Sequence, residues 1–268
     1  MAKLTDKVAI VTGGGTGIGA ASAMELAAEG AKVVVVGRRL EKLEEVVQQI
    51  TTNGGTAMAL SADMADEAQI KAMVDDTIAA YGCLDILHCN AALTDAASHA
   101  ADGPITDMDA ALWDKVMAVN LRGPMLCCKH GIPHLLKQGG GSIVITGSGK
   151  GTFGDMSEAA YGASKAGLIN LTQNLATQYG KQGIRANIVI VGLVLTEGLA
   201  ENIPPPVQEM LVSHHLTPYL GESEDIAKAV VFLACDDSRF ITGHAIYADG
   251  GFGAHSPVVA DLRRMMAG

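Results

Sequence analysis

The sequence has no excess of basic residues and no long apolar run. Its 19 lysines and arginines against 29 aspartates and glutamates give a formal net charge of −10, which argues against a nucleic-acid surface, where a basic face is expected. The apolar run nearest the N-terminus, Val8 to Val11, is far too short for the core of a signal peptide or for a membrane span. We therefore expect a soluble cytoplasmic protein that binds small molecules, without nucleic-acid or membrane partners.

The sequence also lacks a Cys-x-x-Cys motif and a recognisable metal-ligand pattern. Its five cysteines form an odd set, which fits reduced, buried thiols better than disulfides or zinc ligands; they are Cys83, Cys89, Cys127, Cys128 and Cys235. The adjacent His214 and His215 have no nearby carboxylate or histidine at ligand spacing. The sequence predicts no catalytic metal.

Long linkers, internal repeats and low-complexity tracts are absent too, so the 268 residues, 49% of them hydrophobic, are predicted to form a single domain, 1–268, around one large core. Short apolar runs alternate with helical stretches. The runs are Val8 to Thr12, Val33 to Val36, Ala57 to Leu60, Leu84 to Cys89, Ile143 to Thr146, Ile184 to Val191 and Ala245 to Tyr247. Because such Val- and Ile-rich runs are typical of parallel strands buried on both faces, we predict an α/β, doubly wound Rossmann fold with a seven-stranded, mostly parallel sheet.

A glycine-rich loop follows the first apolar run. Gly13, Gly17 and Gly19 lie between this run and a predicted helix from Ala20 to Gly30. A bound phosphate needs close approach to backbone N–H groups at a helix start, which side chains would obstruct. The spacing departs from the common G-x-G-x-x-G pattern, and the alternative interpretation is a flexible glycine turn.

A second motif, Tyr161 and Lys165, lies mid-chain, after a lone Ser148 that follows an apolar run. Residues four apart share one helix face. At roughly 4 to 6 Å and an effective dielectric of about 20, a phenol and an ammonium attract each other by about 3 to 4 kcal/mol, which corresponds to roughly two to three pKa units. We therefore expect Tyr161 to titrate near neutrality and to exchange a proton with a bound alcohol or ketone. The alternative is a partly buried tyrosine over a snorkelling lysine.

Together, the two motifs resemble the short-chain dehydrogenase/reductase family, in which Thr-Gly-x-x-x-Gly-x-Gly opens a single Rossmann domain and Tyr-x-x-x-Lys lies mid-chain. The likeness covers nearly the whole chain. Further matching positions are Asp63, Asn90-Ala91-Ala92, Asn120 and Asp249-Gly250-Gly251. The sequence departs from the family pattern at Ala92, where glycine is usual, and at Val191, where proline would fix a backbone torsion. Neither departure removes a catalytic group.

The resemblance implies an NAD(P)-dependent oxidoreductase that interconverts a ketone or aldehyde and an alcohol. Ser148 would bond the substrate oxygen, Tyr161 would transfer the proton, and Lys165 would bind the nicotinamide ribose and keep the tyrosinate form accessible. Asn120, through a local helix distortion, would hold a water that links Lys165 to solvent; the alternative is a solvated or capping asparagine.

The resemblance also implies a set of cofactor-binding residues. Asp63 would contact the adenine side, Asn90 would steady the central strand, and Thr196 would touch the nicotinamide carboxamide; Asp63 and Asn90 also fit as turn residues. The whole set is Gly13, Thr16, Gly17, Ile18, Gly19, Arg38, Arg39, Asp63, Met64, Asn90, Ala91, Tyr161, Lys165, Gly192, Val194 and Thr196.

The choice between NADP and NAD depends on the end of the second strand. Enzymes that favour NAD usually present an acidic residue there, whereas this chain has Gly37, Arg38 and Arg39. Arg38 would pair with the 2′-phosphate of NADP; alternatively, both arginines solvate a helix start. We predict a preference for NADP(H), with NAD(H) possible, and hence carbonyl reduction.

Two segments interrupt or extend the repeating pattern. Residues 193–219 resemble a mobile lid whose apolar residues, with Leu93 and the insert to Pro104, favour a hydrophobic ketone or secondary alcohol, although they would equally anchor the segment. Residues 252–268 form a C-terminal extension, either a short helix that packs on a neighbouring subunit or a frayed tail. The resemblance implies a homotetramer built through two long helices, from Leu112 to Lys137 and from Ala159 to Gln182.

Two other functions remain open. One is an NAD-dependent alcohol or hydroxysteroid-type dehydrogenase. The other is a nucleotide-sensing or scaffold protein, which would often lose Ser148, Tyr161 or Lys165, all present here. A phosphate-hydrolysing P-loop is excluded because Val144 occupies the required first glycine position and Gly151 replaces Ser/Thr.

Overall fold

The computed structural model describes residues 2–196 and 204–267. Its strands are β1 Val8–Thr12, β2 Lys32–Gly37, β3 Thr56–Ser61, β4 Ile86–Cys89, β5 Gly141–Thr146, β6 Ile184–Val191, β7 Val194–Leu195, β8 Gly221–Glu222 and β9 Ala245–Ala248. Seven of them form one sheet in the order β3-β2-β1-β4-β5-β6-β9, and every neighbouring pair is parallel. β7 and β8 form a separate two-stranded sheet. The predicted α/β Rossmann fold is confirmed.

The described helices are α1 Gly17–Ala28, α2 Leu40–Thr52, α3 Glu67–Tyr81, α4 Ala96–Ala101, α5 Ala110–Met117, α6 Gly123–Lys137, α7 Ala159–Tyr179, α8 Pro205–Ser213, α9 Ser223–Ala234 and α10 Val259–Ala267. Successive side chains of each central strand point to opposite faces of the sheet. In β1, Ala9 and Val11 join a core cluster with α1, α2 and α9, whereas Ile10 joins a second cluster with α3, α6 and α7. The two clusters explain why the strands are apolar on both faces.

The first of the two predicted long helices is interrupted. α5 ends at Met117, residues Ala118–Arg122 form a π-helical turn, and α6 begins at Gly123. The Gly123 N–H bonds the Ala118 carbonyl, five residues back. Pro124, four residues after Asn120, has no N–H to give to the Asn120 carbonyl. The wide turn therefore lies where the α-helical bonding pattern cannot continue.

The C-terminal extension packs against its own chain. The Arg263 guanidinium donates to the His215 carbonyl at 3.3 Å, and the His255 ring lies 2.8 Å from the His214 carbonyl. Ala260 in α10 is buried. The described part of the extension thus contains the helix α10 and contacts the segment after α8. Packing of the extension on a neighbouring subunit stays a prediction. Of the segment predicted as a lid, residues 197–203 lie outside the described residues.

The five cysteines are free thiols, and four of them are buried. No helix among residues 2–196 and 204–267 combines the length and the apolar content needed to cross a membrane.

Candidate active site

Many of the predicted site residues follow the carboxyl ends of the parallel strands, the usual place for a ligand in this kind of sheet. Gly13 follows β1, Asn90 follows β4, Ser148 follows β5 and Gly192 follows β6. Asn90, just after β4, joins these strand ends. Its Nδ2 donates to the carbonyls of Thr12 at 3.1 Å and Gly13 at 3.3 Å, and its Oδ1 accepts a bond of 3.1 Å from the Thr146 hydroxyl. Asn90 therefore ties the glycine loop to β5, and its contacts go beyond those of an ordinary turn residue.

The glycine loop has a shape that only glycine permits. Gly13 and Gly17 have φ angles of 66° and 54°, in the left-handed region. A Cβ at Gly19 would lie 2.1 Å from the Gly13 carbonyl oxygen. The Thr16 side chain makes no capping bond at the start of α1, so the first-turn N–H groups are open to an acceptor. This cradle fits the phosphates of a dinucleotide.

Ser148, Tyr161 and Lys165 come together as the sequence predicts. Ser148 follows β5, and its hydroxyl accepts a bond of 3.3 Å from the Lys150 N–H. The Ser148 side chain also acts on the Tyr161 phenol and lowers its pKa. Lys165, one turn along α7, is 2% exposed. Its Nζ lies 5.5 Å from the centre of the Tyr161 ring and donates to the Thr146 carbonyl at 2.9 Å.

The protonation of this group differs from the expectation. Burial raises the pKa of Tyr161, and the influence of the Ser148 side chain, which lowers this pKa, offsets only part of the rise. Burial lowers the pKa of Lys165 to about 8. The expected titration of Tyr161 near neutrality is therefore wrong. Burial disfavours the charged forms of both the phenol and the ammonium. In addition, the Lys165 ammonium lies over the face of the ring and donates its hydrogen bond to the Thr146 carbonyl. Near pH 7, Tyr161 is a neutral phenol and Lys165 is mainly an ammonium.

Asn120 lies in the π-helical turn. The family resemblance implied such a local distortion of the helix at this residue. The side chain is fully buried. Its Oδ1 accepts a bond of 2.7 Å from the Leu93 N–H, and its Nδ2 donates to the Ser164 hydroxyl at 3.3 Å. Asn120 thus joins the chain after β4 to α7, and the alternative of a solvated or capping asparagine is wrong. The water relay stays a prediction.

Thr196, Asp63 and Met64 are three further candidates for binding the cofactor. Thr196 lies against the glycine loop, since a Cβ on Gly17 would be 3.1 Å from its Cγ2. One carboxylate oxygen of Asp63, Oδ1, accepts a hydrogen bond of 2.8 Å from the N–H of nearby Ala65. Met64 is 5% exposed and its sulfur lies 3.8 Å from the Cys127 thiol, so its backbone is the part that can meet a ligand.

Several other candidates hold backbone positions. Ile18 and Val194 pack into the core cluster of α1. The Ala91 N–H donates to the Thr12 hydroxyl at 3.1 Å. Gly192 contacts the chain after β9, because a Cβ there would lie 2.6 Å from Asp249 Cα. Ile18 and Val194 therefore contribute apolar side chains to the core, whereas Ala91 and Gly192 make close main-chain contacts.

Arg38 and Arg39 follow β2 and are exposed. Arg39 is the N-cap residue of α2. Neither guanidinium forms an ion pair with any residue that the structure describes. Among residues 2–196 and 204–267, no group of three or more His, Cys, Asp or Glu side chains is placed so that it could hold a metal ion.

Comparison with known proteins agrees with this geometry. The family model described as enoyl-(acyl carrier protein) reductase matches residues 13–253. A probable short-chain type dehydrogenase/reductase of Bradyrhizobium diazoefficiens is 41% identical over 263 residues, which cover 97% of this chain and 92% of that protein. The chain belongs to the short-chain dehydrogenase/reductase family.

Other members have named activities. The 7alpha-hydroxysteroid dehydrogenase of Bacteroides fragilis is 35% identical over 97% of this chain and 99% of its own length. The crystal structure of levodione reductase superposes with a TM-score of 0.87 at 33% identity, covering 94% of this chain and all of that chain. As a member of this family, the protein is an oxidoreductase that acts on alcohol and carbonyl groups with a nicotinamide dinucleotide.

Two polar features of this short-chain dehydrogenase escaped sequence reasoning. His88, fully buried in β4, has its Nε2 3.0 Å from the Thr146 hydroxyl. Because that hydroxyl donates to Asn90, it accepts from His88, which must carry its proton on Nε2. Burial lowers the pKa of His88 to about 3, and its Nδ1 has no partner among the described residues. A histidine within an apolar strand run was the available signal.

The second missed feature is a polar cluster around the start of α7. The Glu158 carboxylate lies 3.0 Å from Lys150 Nζ and 3.4 Å from His99 Nδ1, and the His99 ring centre is 5.6 Å from that of Tyr161. The nearby carboxylate of Asp102 is buried. These residues come from separate segments, so their spacing along the sequence gives no signal.

Proposed function

We propose that the protein is an NADPH-preferring carbonyl reductase for a moderately hydrophobic ketone or aldehyde, with Ser148, Tyr161, Lys165 and Asn120 as its catalytic residues. The observation that carries the proposal is the grouping of Ser148, Tyr161 and Lys165 at the strand ends beside the glycine loop, with the Lys165 ammonium over the Tyr161 ring, 5.5 Å from its centre. A neutral phenol near pH 7 suits proton donation to a carbonyl oxygen.

The division of work follows from these contacts. When bound, reduced nicotinamide supplies the hydride. The Ser148 hydroxyl bonds the substrate oxygen and sets its position next to Tyr161. Tyr161 gives its proton to that oxygen as negative charge develops there. Lys165, with its charge held in place by the Thr146 carbonyl, stabilises the tyrosinate that remains and binds the ribose hydroxyls of the cofactor. Asn120 holds the π-helical turn against α7, and a water there would return the proton from solvent.

The NADP preference rests on Arg38. It is exposed, lies at the end of β2 and has no acidic neighbour at Gly37, so its guanidinium is free to pair with a 2′-phosphate. We propose the same cofactor-binding set as the sequence indicates, with the glycine loop, Asp63, Asn90 and Thr196 along one rim. Residues 193–219 are proposed as the substrate lid.

An NAD-dependent dehydrogenase of the hydroxysteroid type is the second candidate, and the likeness to the 7alpha-hydroxysteroid dehydrogenase favours it. A silent nucleotide sensor is the third. We further propose a cytoplasmic homotetramer of this single-domain chain. Sedimentation velocity would test the assembly, and any other dominant species would rule out the tetramer.

The test is a panel of ketones, aldehydes and alcohols with both cofactors, followed by absorbance. We expect turnover of a carbonyl substrate with NADPH, and a loss of about 10²- to 10⁴-fold in kcat for Tyr161→Phe, with cofactor affinity retained. Tyr179→Phe, at the far end of α7, serves as the control. Cofactor binding without turnover of any substrate would favour the sensor, and higher efficiency with NAD would favour the dehydrogenase.

A further inference from the structure

The helix that carries Tyr161 has no local cap at its start. Glu158, its N-cap residue, has φ 63° and ψ 39°, in the left-handed region, and its side chain makes no capping bond. That region is uncommon for a residue other than glycine. The Glu158 carboxylate is instead occupied by Lys150 and His99. The first N–H groups of a helix need acceptors from elsewhere.

Asp102 supplies those acceptors from a distant part of the chain. Its Oδ1 accepts from the Ala160 N–H at 3.1 Å, and its Oδ2 accepts from the Tyr161 N–H at 2.9 Å. Its backbone carbonyl accepts from the Glu158 N–H at 2.6 Å. Asp102 is 2% exposed. Both carboxylate oxygens therefore act as an N-cap, a role usually filled by the residue just before the helix.

The same short segment also touches the Tyr161 side chain. Asp102 follows α4, and its N–H bonds the Ser98 carbonyl at 3.1 Å. His99, in the last turn of α4, has its ring 5.6 Å from the Tyr161 ring, tilted by 53°. Residues 95–102 thus hold the backbone of Tyr161 through Asp102 and lie against its ring through His99.

We infer that Asp102 is a positioning residue that fixes the backbone of Tyr161, so that the phenol meets Ser148 and the substrate oxygen. The buried carboxylate is compensated by the two N–H groups and by the positive end of the helix dipole. The inference rests on the proposed function, because it gives Tyr161 the role of proton donor. It also explains why a polar residue is buried within the insert between β4 and α5.

The test compares Asp102→Ala and Asp102→Asn with two controls. Asp109→Ala removes a local cap, the bond of Asp109 to the Ala111 N–H at the start of α5. Val74→Ala removes core volume from α3, in the core cluster that α3 shares with α6 and α7, without touching the cap of α7. The readouts are kcat, the dissociation constant of the cofactor, the melting temperature, and hydrogen exchange at the amides of Ala160 and Tyr161.

Since a misplacement of about 1 Å can cost about 100-fold in rate, we expect Asp102→Ala to lower kcat by roughly 10- to 100-fold. The cofactor dissociation constant should change by less than about twofold, because the glycine loop is untouched. Asp102→Asn, which keeps one acceptor, should lose less. Exchange at the two amides should accelerate in both variants and stay unchanged in the controls.

If kcat of the folded Asp102 variants falls no further than that of Val74→Ala, Asp102 is only structural and the inference is overturned. Unchanged exchange at the Tyr161 amide also overturns it. Should Asp102→Ala fail to fold, Asp102→Asn decides by the same two readouts. Full activity of Tyr161→Phe would contradict the proposed function and not the cap. In that case the exchange measurement still shows whether Asp102 caps α7.

Discussion

The ammonium of Lys165 donates a 2.9 Å hydrogen bond to the backbone carbonyl of Thr146, the last residue of β5. The charge is thus fixed by main-chain geometry, and no carboxylate is paired with it in the described contacts. Burial removes the water that would solvate this ammonium and thereby disfavours its charged form. The pKa of Lys165 is lowered to about 8. Both the stability and the activity of the protein should therefore depend on pH in this range.

Lys165 should make the cofactor-free protein more stable as the pH rises from about 8. The folded state releases this proton near pH 8, while the unfolded chain holds it up to the ordinary value of 10.5. The free energy of unfolding should therefore rise by about 3 kcal/mol between these two values, relative to Lys165→Met. Denaturant titrations of both proteins across this range measure the difference. A difference that stays constant with pH would contradict the lowered pKa.

The same group predicts the alkaline limb of the reaction. Carbonyl reduction by the wild type should decline above pH about 8, because the ammonium that stabilises the tyrosinate is lost. Lys165→Arg keeps its charge in this range, so its slower reaction should remain level until Tyr161 titrates. Profiles of kcat/KM against pH would show this, and identical limbs in both proteins would refute the assignment.

Gly19→Ala should impair cofactor binding. The added Cβ would lie 2.1 Å from the Gly13 carbonyl oxygen and 2.6 Å from Asn90 Nδ2, so the loop must move away from the start of α1. Overpacking of this kind costs roughly 1 to 3 kcal/mol, and we expect the cofactor dissociation constant to rise about 10- to 100-fold. Gly180→Ala, where a Cβ meets open space, is the control. Equal affinity in both variants would remove the loop from the proposed site.

Arg38→Ala should change cofactor preference. Hydrogen bonds to charged groups contribute about 1.5 to 3 kcal/mol, so the KM for NADPH should rise roughly 10- to 100-fold while that for NADH stays nearly constant. Arg39→Ala is the matched control, since Arg39 caps α2 by its backbone position. If the two variants behave alike, or if the wild type already prefers NADH, Arg38 does not select the cofactor.

His88 should make the protein sensitive to acid. Its pKa is lowered to about 3 in the folded state, against 6.5 in the unfolded chain, so unfolding takes up a proton between these values. Relative to His88→Gln, the wild type should lose roughly 3 kcal/mol of unfolding free energy as the pH falls from about 6.5 to about 4. The exposed His244→Gln serves as the comparison. If the unfolding free energy falls equally with pH in all three proteins, protonation of His88 does not destabilise the folded state and the prediction is contradicted.

The sequence was informative where one chain segment decides the outcome. The apolar runs predicted the seven strands of the main sheet, although β4 starts at Ile86 and not at Leu84. There Asp85 uses its carboxylate to accept the Val8 N–H at 2.9 Å. Ser148, Tyr161 and Lys165 were predicted because strand ends and helix spacing bring them together.

What could not be predicted depends on burial and on contacts between distant segments. The direction of the Tyr161 pKa shift follows from desolvation, which a spacing of four residues does not reveal. The Asp102 cap joins residues 59 apart in sequence, and the hydrogen bond from His88 to Thr146 joins neighbouring strands. Such contacts exist only after the sheet has assembled.

The strand order also bears on when the enzyme becomes complete during synthesis. β9 comes last along the chain, yet it lies beside β6, and the carbonyl of Gly250 just beyond it accepts bonds from the N–H groups of Leu216 and Thr217. A nascent chain that has already made the glycine loop, Ser148 and Tyr161 still lacks the strand that supports Gly192. The cleft therefore has its full set of supporting strands only after β9 has been made and has paired with β6.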